Sequence, residues 1–451
     1  MRLKFKTVLA SIALAIGLLM MPQVNALADG PEFFEFEPNN ASFDANKVVL
    51  YDSVYSNLTQ GDIDWYKIYI PRSDRYVFRF TGRNVAPTLK VNIYDASSNV
   101  VFSGSPDANG KIIFSGTLNG LYYVQVSDEN NANCNAGYDF EFYPENSGGN
   151  PLYRFAGANR YETSYSIFKN NWSYCNWIVI ATGEDFPDAL GATPLARYYN
   201  APVILTEPKA LSSEVENHIK KTGAKNAFII GGYGAVSKDV EDKLTSMGIA
   251  CKRLAGQDRY ETSLQIAKEF NIVGTVSIVT GEDFPDALTV APYAANCLGP
   301  ILLVDKNRSN DKVLQYIKDK DVQIAVIVGG TGVVPQATET SIKSIIGNES
   351  TIRAAGADRY ETNINFLKTF SKDFRLNQMY FATGLNFPDA MSGSVVAAVG
   401  FNPVILIDKD VNAATRKYLE DNRSQSFGNC IFGGEGVIPT ATVKQFFPYS
   451  N

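Results

Sequence analysis

The decapeptide RFAGANRYET at Arg154–Thr163 returns as RLAGQDRYET at Arg253–Thr262 and as RAAGADRYET at Arg353–Thr362, at intervals of 99 and 100 residues. A second motif follows each copy in the same order: ATGEDFPDAL (Ala181–Leu190), VTGEDFPDAL (Val279–Leu288) and ATGLNFPDAM (Ala382–Met391). Solenoid repeats have periods of roughly 20–50 residues, so this much longer period marks a unit large enough to be a small domain. Two-thirds of the 451 residues is one unit used three times. Its function lies in what three copies do together.

Each unit reads as α/β. The RYET segment opens a helical stretch (Thr163–Asn170, Thr262–Phe270, Thr362–Phe370), and a buried strand follows (Trp177–Ala181, Thr275–Val279, Met379–Ala382). After FPDA comes a helix of small residues (Leu190–Tyr199, Leu288–Cys297, Met391–Val399), then a proline-led apolar strand from Pro202, Pro300 or Pro403. A polar helix (Ser212–Thr222, Ser309–Asp319, Ala413–Asn422) leads to a third apolar strand ending in Gly231-Gly232, Gly329-Gly330 or Gly433-Gly434. Continuous apolar strands alternating with helices imply a parallel sheet covered on both faces. Glycine pairs just after a strand mark a tight turn or a close backbone approach.

Residues before the repeats differ in kind. A basic MRLKFK start, an apolar run from Val8 to Met21 and Ala26-Leu27-Ala28 read as a secretory signal, too short to span a bilayer. Residues 29–145 alternate in short runs such as Trp65–Ile70, Tyr76–Phe80, Leu89–Tyr94, Tyr122–Val126 and Tyr138–Phe142, which argues for an antiparallel β-sandwich. Ser147-Gly148-Gly149-Asn150-Pro151 reads as a flexible linker. The expected division is a signal peptide at 1–28, a sandwich at 29–146, a linker at 147–152, and repeats at 153–251, 252–351 and 352–451.

Charge excludes one class of partner. Residues 29–150 hold 16 Asp/Glu against 8 Lys/Arg, and residues 151–451 hold 31 against 30, so neither part is a basic surface for nucleic acid. No membrane span is expected after signal cleavage. The five cysteines (Cys134, Cys175, Cys251, Cys297, Cys430) are odd in number and do not follow the repeat, so they read as mostly reduced, semi-buried thiols. The single histidine, His218, reads as a solvated helix residue.

The motifs carry several chemical readings. The glycine turns fit neither GxGxxG nor the P-loop pattern, so nucleotide binding is not expected and no cofactor follows from them. The acids Glu184, Asp185 and Asp188 and their copies Glu282, Asp283 and Asp286 suggest a carboxylate pair, but the third copy reads Leu385, Asn386 and Asp389. A catalytic pair needs two acids. Pro187, Pro285 and Pro388 with a following acid instead suit a helix start. Arg160, Arg259 and Arg359, beside Tyr161, Tyr260 and Tyr360, have two readings: a buried Arg–Asp pair to the FPDA acid within each repeat, or outward contacts to anionic groups on a polymer. The planar guanidinium suits the first.

Arg154–Thr163, Ala181–Leu190, Pro202–Leu205 and Ile230–Ser237, with their counterparts, resemble the cell wall binding repeat 2 family of Gram-positive bacteria, clostridia especially. The resemblance covers roughly residues 151–447. It implies Rossmann-like α/β units in a pseudo-threefold arrangement, and non-covalent attachment to an anionic cell-wall polysaccharide or teichoic-acid-like polymer at or beneath an S-layer. The positions carried over are the RYET arginines with their tyrosines, Asp188, Asp286 and Asp389, and the strand residues Ile204, Leu205, Leu302, Leu303, Ile405 and Leu406. Leu385-Asn386 departs from the pattern, which points to weaker binding or a packing role in repeat 3.

The N-terminal part resembles, less specifically, a bacterial pre-peptidase C-terminal domain, through Glu35–Asn40, Asp62–Tyr66 and Gly120–Val126. In calcium-binding relatives the first two segments supply oxygen ligands. Here Glu35, Glu37, Asn39, Asn40, Asp62 and Asp64 offer the hard-oxygen set that calcium takes, although Asn40 stands where an acid is common. The alternative is an acidic strand and turn. Taken together, the expectation is an exported, non-catalytic wall anchor displaying a sandwich, with S-layer proteins or a host ligand as further partners. Two alternatives stand beside it: an adhesin using sandwich tyrosines (Tyr66, Tyr69, Tyr94, Tyr122, Tyr123), and a cell-wall hydrolase.

Overall fold

A computed structural model describes residues 32–34, 41, 45–48, 53–58, 61–70, 74–82, 88–116, 120–128, 136–144, 152–172, 174–185, 188–426 and 428–447. The expected signal peptide and linker residues 147–151 lie outside these. So do Glu35, Glu37, Asn39, Asn40 and Cys134.

Among the described residues ten strands form the N-terminal part: β1 (Glu32–Phe34), β2 (Asn46–Val48), β3 (Ser53–Leu58), β4 (Ile63–Ile70), β5 (Asp74–Gly82), β6 (Leu89–Asp95), β7 (Val100–Gly104), β8 (Lys111–Gly116), β9 (Gly120–Asp128) and β10 (Ala136–Pro144). They make two five-stranded sheets, β1-β3-β10-β5-β8 and β2-β4-β9-β6-β7. The expected sandwich is present, but it is not purely antiparallel: β1 runs parallel to β3, and β2 parallel to β4. Alternation places Tyr66, Ile68, Phe78, Phe140 and Phe142 in the core between the sheets. One polar group is buried with them. Asp64 Oδ2 accepts from Ser56 Oγ at 2.7 Å and from Tyr138 Oη at 2.6 Å, and the Tyr138 and Tyr66 hydroxyls lie 2.7 Å apart. A buried carboxylate held by hydroxyl donors satisfies a group that is costly to leave bare.

The repeats begin with β11 (Leu152–Phe155), α1 (Arg160–Asn171), β12 (Trp177–Thr182), α2 (Ala192–Tyr198), β13 (Val203–Thr206), α3 (Ser213–Thr222), β14 (Asn226–Ile230) and α4 (Lys238–Ser246). The second series is β15 (Ala250–Leu254), α5 (Arg259–Ala267), β16 (Thr275–Thr280), α6 (Pro285–Asn296), β17 (Ile301–Val304), α7 (Asp311–Asp319), β18 (Ile324–Val328) and α8 (Gln336–Ile346). The third is β19 (Thr351–Ala354), α9 (Arg359–Thr369), β20 (Gln378–Thr383), α10 (Pro388–Val399), β21 (Val404–Ile407), α11 (Ala413–Asn422), β22 (Gly428–Phe432) and α12 (Thr440–Lys444).

Three parallel four-stranded sheets result, ordered β13-β12-β14-β15, β17-β16-β18-β19 and β21-β20-β22-β11. Each sheet takes its fourth strand from the chain that opens the following repeat. The third sheet is completed from the other end of the series. It takes β11, from the start of the first, with Leu152 opposite Asn429 and Phe155 opposite Phe432. The three units therefore close into a ring.

An arginine locks each borrowed strand. Arg253 donates to the Gly231 and Val236 carbonyls at 2.8 and 2.9 Å and forks onto Glu241. Arg353 does the same with Gly329 O, Val334 O and Glu339. At the closing joint Arg154 reaches Gly433 O and Ile438 O, but Val443 stands where the acid would be. Glu435 replaces it from another position, 3.1 Å from Arg154 Nη2. At the centre of the ring α2, α6 and α10 pack against one another. Their Ala, Ser and Gly faces permit close approach, because interaxial distance follows the side chains at the contact.

A fragment beginning at Ala156 lacks β11 and bares the edge of β22. An open edge is a template for pairing. Such a fragment is expected to unfold at lower urea than residues 151–451, or to self-associate, as read by denaturation and size-exclusion chromatography. Equal midpoints and a monomer would contradict closure by β11.

Candidate functional site: the repeat junctions

The recurring motifs converge where one unit meets the next. Each RYET helix starts on a side-chain cap. Asn159 Oδ1 accepts from the Tyr161 and Glu162 amides, Asp258 Oδ1 from Glu261, and Asp358 Oδ1 from Tyr360 and Glu361. The glutamate at the third helical position returns to the preceding turn. Glu162, Glu261 and Glu361 accept from the Ala158, Gln257 and Ala357 amides at 2.9–3.0 Å. This variant of the capping box spends the motif's glutamate on backbone donors. The helices consequently begin at the arginine, three residues before the expected Thr163, Thr262 and Thr362.

The arginine and tyrosine of the motif grip the Thr-Gly loop of their own unit. Arg160 donates to the Gly183 carbonyl, Arg259 to Gly281 O at 2.6 Å and Arg359 to Gly384 O at 2.5 Å. A Cβ on Gly183, Gly281 or Gly384 would lie 2.5–2.7 Å from the tyrosine ring, so only glycine lets the ring pack there. The tyrosine hydroxyl then donates to Glu184 in unit 1 and to Glu282 at 2.9 Å in unit 2. Repeat 3 has Leu385 there, an exposed side chain, and Tyr360 turns to Asp408 Oδ2 at 3.5 Å. Burial raises the tyrosine pKa in all three units, to about 12 for Tyr360.

The FPDA acids meet the arginines of a different repeat. Asp188 faces Thr262 and Arg259, Asp286 faces Arg359, and Asp389 faces Thr163 and Arg160. The expected Arg–Asp pairing within a repeat is thus corrected: the arginine whose charge acts on each FPDA carboxyl comes from another repeat, 2 on 1, 3 on 2 and 1 on 3. The reason is the borrowed strand, which delivers each RYET segment onto the preceding unit. Arg359 also donates to Asp283 Oδ2 at 3.3 Å and lies 5.5 Å from the Phe284 ring, as Arg160 lies 5.8 Å from Phe387.

These contacts fill a particular crevice. In sheets of this order the ligand site lies at the strands' carboxyl ends, where the direction of strand addition reverses. Here that is between β12 and β14 and their copies. Gly231, Gly329 and Gly433 line it with φ of 91°, 112° and 110°, which favours glycine. A Cβ on any of them would stand 2.5–2.7 Å from the FPDA carboxylate. The crevice is therefore occupied by the protein's own acid under the next repeat's RYET segment.

Other expected residues are placed differently. Ile204, Leu205, Leu302, Leu303, Ile405 and Leu406 are all core, at most 2% exposed, so direct polymer contact by them is corrected to packing. Their strand edges are covered: the Leu205, Leu303 and Leu406 amides donate to Ser164, Ser263 and Asn363. His218 is not a solvated residue. It packs edge-on to Phe168 at 4.5 Å, its Nε2 lies 3.0 Å from Trp172 O, and burial lowers its pKa. Tyr66, Tyr122 and Tyr123 are buried, whereas Tyr94 is partly exposed. Cys175, Cys251, Cys297 and Cys430 are free thiols, the first and last buried. Of the calcium set, Asp62 caps the Ile63 amide at 3.0 Å and Asp64 Oδ2 is taken by two hydroxyls, which does not suit a metal at that oxygen. Among the described residues no group of three His, Cys, Asp or Glu is placed to hold a metal ion.

A cleft of 280 Å³ on repeat 2 is lined by Tyr260, Asp305, Arg308 and Lys312, with Asp258, Glu261 and Asp311. Arg308 pairs with Asp258 and Asp305, and Lys312 with Glu261. Its cations are thus already matched by acids.

A closed ring of like α/β units, whose crevices are filled by one another, defines a tandem-repeat domain. The chain belongs to the cell wall binding domain 2 family, which matches residues 154–241, 253–339 and 353–443, more than half its length. It is 32% identical over 307 residues to N-acetylmuramoyl-L-alanine amidase LytC of Bacillus subtilis (strain 168), covering 67% of this chain and 60% of that protein. It is 36% identical over 276 residues to the amidase enhancer of the same strain, covering 61% of this chain and 37% of the enhancer. In fold it is similar to Cwp6 from Clostridium difficile, with a TM-score of 0.63 at 22% identity over 82% of this chain and 66% of that one. Membership makes this a cell-wall-associated surface protein. Among the described residues no helix is long and apolar enough to cross a membrane.

Burial pushes Asp286 and Asp389 up to about 6 from an ordinary 3.8, against the opposing pull of Arg359 and Arg160. A folded-state pKa raised above the unfolded value gives stability that is full below about pH 4 and lost as pH rises through about 6. Each acid accounts for at most about 3 kcal/mol of this. Asp286→Asn and Asp389→Asn should flatten that part of the slope, read from urea midpoints between pH 4 and 7.5; an unchanged slope in the double variant refutes the assignment. Separately, Tyr260→Phe should cost about 1 kcal/mol, and Tyr360→Phe, with its longer bond, less.

Proposed function

We propose that the three-repeat ring anchors the protein non-covalently to an anionic cell-wall polysaccharide or teichoic-acid-like polymer and displays the sandwich outward. The observation that carries this reading is that every unit of the ring matches one wall-binding family, while its enzyme-like crevices are filled by intramolecular contacts. Three modest contacts on one polymer reinforce one another, so no single strongly basic site is needed. This accords with the near balance of charge over residues 151–451.

A non-catalytic role is supported by what the chain's reactive groups do. Its only histidine lies against the Trp172 carbonyl, and the described cysteines are buried or half-buried with pKa values pushed up at Cys175, Cys251 and Cys297. The amidase named among the relatives shares the binding repeats with this chain, and the present chain spans 60% of it. The hydrolytic activity in that name is therefore not carried over.

Purified walls provide the test. Residues 151–451 should sediment with them and be released by salt, which screens exposed ionic contacts, or by low pH, which protonates carboxylates. Residues 29–150 should stay in solution. Wall binding by the sandwich alone would overturn the reading. Changing Arg160, Arg259 and Arg359 together to Ala should lower both binding and the urea midpoint, because these side chains hold the junctions.

A further inference from the structure

We infer that the junction between the sandwich and repeat 1 is a binding site for a phosphate-type oxyanion, formed by Lys67 of β4 and Arg197 in the last turn of α2. The two parts meet here. Tyr153 of β11 packs against both hydrophobic cores, and α1 lies beside β9. Lys67 points from the outer face of its sheet, next to Tyr123 on β9, while its neighbours Tyr66 and Ile68 point into the sandwich core.

Among the described residues, two cations lie within electrostatic range of each other at this seam and neither is paired with an anion. Neither Lys67 nor Arg197 has a salt bridge or a side-chain hydrogen bond among the described residues, and Arg197 Nε is buried with no acceptor. The titratable groups acting on Lys67 are Arg197, which repels it, and Cys175. The thiol is no counter-ion at neutral pH, because burial pushes it up to about 11. Burial first, and then Arg197, pull the Lys67 ammonium down to about 8. Enclosing one unpaired cation is costly, and enclosing two within electrostatic range of each other costs more unless an anion neutralises both. Lys67 keeps part of its surface accessible, which leaves a way in. A guanidinium fork beside an ammonium matches the several oxygens of a phosphate group.

The inference goes beyond wall anchoring, since it concerns a site the repeats alone do not form. A phosphate there would be held from both sides and would fix the sandwich on the ring. The source is either free phosphate or the phosphodiester of a wall polymer.

Calorimetric titration of the full chain with inorganic phosphate, and separately with poly(glycerol phosphate), tests it at constant ionic strength. Lys67→Met and Arg197→Met should each weaken binding by about tenfold or more, the loss of one charge-assisted contact, while Lys67→Arg should largely retain it. Phosphate should raise the wild-type Tm and leave that of the double Met variant unmoved, and the variant's basal Tm should be no lower than wild type. Binding of inorganic phosphate alone identifies a free anion; binding of the polymer with the same dependence identifies wall phosphate, and either supports the site. Absence of binding by both probes, or binding undiminished in the Met variants, overturns it. The wall-sedimentation assay on residues 151–451 lacks Lys67, so its outcome is independent.

Discussion

Every sheet in the ring is completed by a strand that belongs, by sequence, to the next repeat. From that one constraint the rest follows. A borrowed strand must be followed immediately by its own helix, so the RYET segment is carried onto the neighbouring unit's crevice. The helix body continues to the edge strand of its own unit and covers it through Ser164, Ser263 or Asn363. One continuous stretch of chain thus closes a sheet, plugs a crevice and protects an edge.

The crevice plug explains why these units are poor candidates for small-molecule chemistry despite their Rossmann-like form. The FPDA carboxylate sits against a positive-φ glycine, where an α/β enzyme would place its ligand's polar group. The site has been turned from binding a ligand to binding a neighbour. The copies still differ. Repeat 3 replaces a tyrosine–glutamate bond by a longer one to Asp408, and the closing joint uses Glu435 where the other two use Glu241 and Glu339. Both departures cluster around the third unit, so the ring's symmetry is weakest there.

Much of this was legible in the chain. Apolar runs and Pro-led strands located the three parallel sheets, and Pro285 and Pro388 do open their helices. The cap was also readable: Asn159, Asp258 and Asp358 stand three residues before a glutamate, a start signal that moves the helix forward. The direction of pairing was not legible. A motif repeated at matched positions reads the same whether Arg259 meets Asp286 or Asp188, because cyclic relabelling leaves the sequence unchanged. One clue did exist in the first copy. Arg154 and Phe155 keep the form of a sheet-completing strand although no repeat precedes them, which makes sense only if the ring closes. His218 escaped for a simpler reason, since a lone polar residue on a polar helix gives no sign of the aromatic neighbour across from it.

The position of β11 has a mechanical consequence. The sandwich is joined to the ring through the very strand that closes it, and that strand runs parallel to β22. If the ring is held by the wall while the sandwich is pulled, tension enters at Leu152 and travels along the strand. A pull along its axis loads the ladder in shear, so the inter-strand bonds and the Arg154 contacts to Gly433, Ile438 and Thr440 must yield together. A pull across the axis would peel them one at a time. The ring's resistance to being pulled open therefore depends on the angle at which the sandwich is tugged.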